Sequence, residues 1–111
     1  MKLLSENQIK SFSGFREILE YNDNYINSIY SNYIFLYENY DNICNTESPE
    51  TVLYSEYYWG ALFIKAYQKK YNKLSGCEQF HFKLIDRIEH TLGNVDIDLL
   101  ENIESSVDKI I

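Results

Sequence analysis

Apolar positions along this chain recur at steps of three and four, the spacing that puts side chains on one face of a helix. The pattern is clearest over residues 23–44. Ile26, Ile29, Tyr33, Leu36, Tyr40 and Ile43 form one stripe, which Tyr30, Ile34 and Tyr37 widen. Asn24, Ser28, Ser31, Glu38 and Asn42 fall opposite, with Phe35 the one apolar residue among them. The Tyr and Ile content alone would favour strands. A period of two, however, would send Ile26 and Ile29 to opposite faces, so the pattern predicts a helix.

Four further segments read the same way. Residues 5–19 carry Ile9, Phe12, Phe15 and Leu19, opened by Ser5 and Gln8 at capping-box spacing, with Gly14 as a weak point. Ser48-Pro49-Glu50 reads as an N-cap, a first-turn proline and an acid at the positive end of the helix dipole. The helix it opens is expected to reach residue 74, with a seam of Leu53, Tyr57, Gly60, Ile64, Tyr67, Tyr71 and Leu74. Lys69, Lys70 and Lys73 lie near its end and Gly76 is its stop. Residues 78–92 turn Leu84, Ile85, Ile88 and Leu92 inward and end at Gly93. Residues 96–110 turn Leu100, Ile103, Val107 and Ile110 inward.

One Pro and four Gly leave these helices long and the loops short. The expectation is an all-α fold: a compact antiparallel bundle of about five helices in a single domain over residues 1–111. Apolar residues at 45% and the load of 11 Tyr and 6 Phe supply a core without a metal or disulfide staple. Cys44 and Cys77 form no disulfide framework and are expected to be reduced. The first residues carry no apolar signal region, and the longest apolar run, residues 57–64, is too short to cross a bilayer. The expected compartment is the cytoplasm.

Charge narrows the function classes. A net charge of −7 disfavours direct nucleic-acid binding and attachment to anionic membranes, both of which need a basic footprint. The charge is also segregated. Residues 17–64 contain no Lys or Arg, yet hold Glu17, Glu20, Asp23, Glu38, Asp41, Glu47, Glu50 and Glu56, nine of the 11 Tyr, and Trp59. Positive charge follows in Lys65, Lys69, Lys70, Lys73, Lys83 and Arg87.

Candidate chemistry is sparse. Cys77 and His81 are one helical turn apart, but zinc would need Cys44 and His90 as well, at no known zinc spacing. A Cys77–His81 nucleophile would have Glu78 beside its thiol, and a negative neighbour opposes thiolate formation. There is no Gly-x-Ser-x-Gly elbow and no glycine-rich phosphate loop. No enzyme and no cofactor are therefore expected.

The expected activity is that of a protein inhibitor or immunity protein neutralising a basic partner, best exemplified by a bacterial nuclease toxin. Carboxylates would pair with the partner's Lys and Arg, and Tyr would supply rigid contact area. The expected partner-binding patch is Glu38, Asp41, Glu47, Glu50, Tyr54 and Tyr58. The alternatives are a self-associating helical scaffold, with a homodimer as its simplest form, and a ligand-binding bundle with a pocket near His81 and Tyr hydroxyls.

Overall fold

The computed structural model describes residues 23–71 and 77–110. The expected helix over residues 5–19, and residues 72–76 with their stop glycine, lie outside them. The described chain is all-helical: α1 (Asp23–Glu38), α2 (Tyr40–Ile43), α3 (Pro49–Tyr71), α4 (Cys77–Leu92) and α5 (Ile97–Ile110). None of these helices is long and apolar enough to cross a membrane.

The stripe of α1 is its buried face. Ile26, Ile29, Tyr33 and Leu36 are buried and Phe35 is exposed. The helix expected over residues 23–44 is interrupted at Asn39. The Asn39 side-chain amide donates to the Phe35 carbonyl (2.9 Å), competing with the backbone amide of the same residue (3.0 Å). Asn offers its own backbone this local alternative, which is why it favours helix ends. One turn of α2 follows and still buries Ile43.

The cap expected before α3 forms. Ser48 Oγ accepts from the Thr51 amide at 3.1 Å, and Pro49 opens the helix. At the far side, Gly93 takes φ +80°, a conformation that closes α4, with its amide donating to the Glu89 carbonyl at 2.8 Å. Asp96 then caps α5, accepting from the Leu99 amide at 3.1 Å.

Helix α3 is the axis: α1, α4 and α5 all pack on it. It therefore has no single inward seam. Val52, Leu53, Tyr57, Trp59, Leu62 and Ala66, which point in different directions around the helix, are all buried. Gly60 permits a close approach. A Cβ there would lie 2.6 and 2.8 Å from the two Leu84 methyls, so α4 presses directly on the α3 backbone.

Contacts fix the directions. Gly60 meets Leu84 and Glu56 meets Arg87, so α4 runs antiparallel to α3. Tyr54 meets Asp96 and Lys65 meets Asp108, so α5 runs parallel to α3. The Tyr30 ring packs on Phe63 at 4.8 Å, while Tyr37 lies over Arg87, so α1 is antiparallel to α3.

Candidate functional site

These directions gather one sign of charge at one end of the bundle. The C-terminal end of α1, helix α2, the following loop, the N-terminus of α3, the C-terminal end of α4 and the N-terminus of α5 all lie at the same pole. They bring Glu38, Asp41, Glu47 and Glu50 to the pole that also receives Glu89, Asp96 and Asp98. All seven are exposed except Glu47, which is half-buried. Of the described residues, the stretches that form this pole, 38–64 and 88–108, contain no Lys or Arg. The sequence pattern showed the first of these acidic runs. It did not show that the second folds onto it, because that depends on α5 running parallel to α3.

Tyr54 and Tyr58 do not belong to this surface, contrary to the sequence expectation. They are 8% and 9% exposed. The expectation assumed that α3 kept an outer face, but three helices surround it. Tyr54 instead acts from inside: its hydroxyl accepts the Asp96 amide at 2.9 Å and so holds the capping residue of α5 in place. Tyr58 packs edge-on against Trp59 at 5.8 Å.

Glu56, in sequence one more acid of the basic-free stretch, is 2% exposed and faces Arg87. The guanidinium donates from Nε to Oε2 at 2.6 Å and from NH2 to Oε1 at 3.1 Å, the paired fork that matches a carboxylate. The Tyr37 and Tyr40 rings lie 4.5 and 4.9 Å from the Arg87 Cζ. Burial pushes the Glu56 carboxyl up and Arg87 pulls it back, leaving it raised. This pair joins α3 to α4 and takes up Arg87, so that residue does not offset the carboxylates of the pole.

A second polar cluster sits midway along α3. The Tyr57 hydroxyl donates to Glu104 Oε1 at 2.6 Å and contacts His81 Nε2 at 2.9 Å, and His81 Nε2 lies 3.3 Å from the same carboxylate oxygen. A phenol has one proton, and here Glu104 receives it. His81 Nε2 is thereby placed to donate to the Tyr57 oxygen when it carries a proton. Burial, and then the bond to Glu104, raise the Tyr57 hydroxyl above its ordinary range. Beside the cluster opens a cleft of about 220 Å³ lined by Ala61, Ile64, Lys65, His81, Glu104, Val107 and Asp108, with Lys65 Nζ on Asp108 at 2.8 Å. Sequence spacing had offered His81 to Cys77; packing gives it to Tyr57 and Glu104 across two other helices. Among the described residues, no three His, Cys, Asp or Glu side chains converge as a metal site.

The third feature is a groove of about 630 Å³ between α1 and α4. Tyr33 lies at its floor, edge-on to Phe80 at 5.1 Å, and Tyr30 and Tyr37 stand on its α1 side at 39% and 47% exposure. Lys83, Asp86 and His90 line its α4 side.

Comparison with protein families, with curated proteins and with solved structures returns no match.

Proposed function

We propose that this chain is a non-catalytic binding protein, an inhibitor of the immunity type, which neutralises a basic protein partner through its acidic pole. The reading rests on one observation: two separate stretches of chain, residues 38–50 and 89–98, deliver seven carboxylates to one end of the bundle, and Arg87, a described base beside that end, is taken up by Glu56. A field of one sign steers an oppositely charged partner and disfavours others. Nuclease toxins suit this chemistry, since a site that binds phosphates is itself basic and is blocked by a carboxylate surface. The contact residues are Glu38, Asp41, Glu47 and Glu50, extended by Glu89, Asp96 and Asp98. Tyr54 and Tyr58 support the pole from within.

The test is affinity capture on the immobilised chain from a lysate of its source organism, eluted with a salt gradient. The reading requires a basic protein that elutes at raised salt, loses nuclease activity when the chain is added, and is not retained by a Glu38→Lys/Asp41→Lys/Glu50→Lys variant. A captured protein that this variant retains equally well counts against it.

The Tyr57–His81–Glu104 cluster favours a second reading, a small-ligand site in the adjoining cleft. That reading predicts a ligand retained in native mass spectra and lost in His81→Ala, with partner capture unchanged.

A further inference from the structure

The groove between α1 and α4 presents an aromatic surface with its charges in balance. Tyr30 packs on Phe63 (4.8 Å) and near Tyr33 (6.0 Å), and Tyr33 approaches both Phe80 (5.1 Å) and Tyr37 (6.1 Å). The rings form one connected aromatic cluster, of which Tyr30 and Tyr37 are exposed, capped at one end by the Arg87 guanidinium over Tyr37. Tyr is the residue type that interfaces favour, because it gives large contact area at small entropic cost.

Charge identifies the occupant. A molecule of net charge −7 repels its own copies over most of its surface. The acidic pole repels another such pole, and the outer face of α5 carries Asp98 and Glu101. On the groove, Arg87 is neutralised by Glu56, and Lys83 and Asp86 contribute one charge of each sign to the lining. Two copies meet here without like-charge repulsion and with aromatic area to bury. Lys83 and Asp86 are also three residues apart on one helix, so both stand on its groove side. If two α4 helices cross antiparallel about a two-fold axis, Lys83 of each copy faces Asp86 of the other. This is the self-complementarity that an isologous interface requires.

We infer that the α1–α4 groove is a homodimer interface, with Tyr30 and Tyr37 of each copy packing into the groove of the other and Lys83 paired with Asp86 across the axis. This inference stands independently of the acidic pole.

Sedimentation equilibrium on the full chain over a micromolar-to-submillimolar range tests it. The wild type is expected to dimerise, with association largely kept at high salt because the contact is mainly aromatic. Tyr37→Asp is expected to raise the dissociation constant at least about tenfold. Because Tyr37 also touches Arg87, the exposed pair gives a test that spares the core. Lys83→Glu and Asp86→Lys each place like charges across the axis and weaken the dimer. Mixed in equal amounts, they restore opposite charges at both contacts and associate as a heterodimer. A wild type that stays monomeric throughout the range overturns the inference. So does a dimer unaffected by both charge variants, or a salt-sensitive dimer lost in Glu50→Lys, which would place the contact at the acidic pole.

Discussion

Replacing Arg87 with Met keeps most of the side chain's length and removes its charge. Glu56, 2% exposed, would then be a buried carboxylate with its forked donor gone. Removing one partner of a buried ion pair costs about 3–5 kcal/mol. The Arg87 side chain is 26% exposed, so water reaches one side of the pair and the lower end of that range, about 3 kcal/mol, applies. The rings of Tyr37 and Tyr40 each lose a cation worth about 0.5–1 kcal/mol, which brings the total to about 4 kcal/mol. For a chain of this length, that lowers Tm by roughly 15 °C. Replacing both partners, as Glu56→Leu/Arg87→Met, removes the orphaned charge and leaves only the lost ring contacts, about 1 kcal/mol.

The single variant also acquires a pH signature. Burial already raises the Glu56 carboxyl, and losing Arg87 raises it further. A carboxyl whose folded-state pKa lies above its unfolded value favours the folded chain at low pH and loses that advantage as pH rises through the folded value. The deficit of Arg87→Met is therefore largest at neutral pH and shrinks as pH falls through the raised carboxyl value. Thermal and urea unfolding followed by circular dichroism measure all of this. The reasoning fails if Arg87→Met unfolds within about 1 kcal/mol of the wild type, or if the double variant is less stable than the single one.

Two further outcomes follow from the packing. Gly60→Ala drives a Cβ into the Leu84 methyls and should cost about 1–3 kcal/mol despite the better helix propensity of Ala. Adding Leu84→Ala should make the pair less damaging than the sum of the two changes, read from urea midpoints, and simple additivity would contradict the direct contact. Tyr33 titrates at about 12 because burial disfavours its phenolate, with Glu56 as the next cause. The unfolded chain releases that proton near pH 10, so stability falls between pH 10 and about 12, by roughly 2–3 kcal/mol for this residue. Tyr33→Phe should flatten that alkaline decline, and an unchanged slope would count against the burial argument.

How far the sequence could be read follows the geometry of each helix. The stripe of α1 was legible because one side packs and the other meets water, so periodicity maps directly onto burial. The caps at Ser48 and Gly93 were legible because they are local. Helix α3 was not, because it is enclosed by three neighbours and its apolar residues follow no single face. The placement of Tyr54 and Tyr58 failed for that reason. Glu56 reads as a solvated acid until Arg87, 31 positions later, is brought onto it. The Tyr57–His81–Glu104 cluster joins three helices and has no local spacing to betray it. The acidic pole was half legible: its first run stands out as a stretch without bases, while Glu89, Asp96 and Asp98 join it only through the directions of α4 and α5.

The most direct test of the central claim is the affinity of the captured basic partner for the wild type and for Glu38→Lys/Asp41→Lys/Glu50→Lys, by calorimetry at two salt concentrations. These side chains are exposed, so the variant should keep its helicity and Tm. The account predicts binding at least about 100-fold weaker, with most of the salt dependence gone. Equal affinity in a folded variant would contradict the claim that the acidic pole is the binding surface.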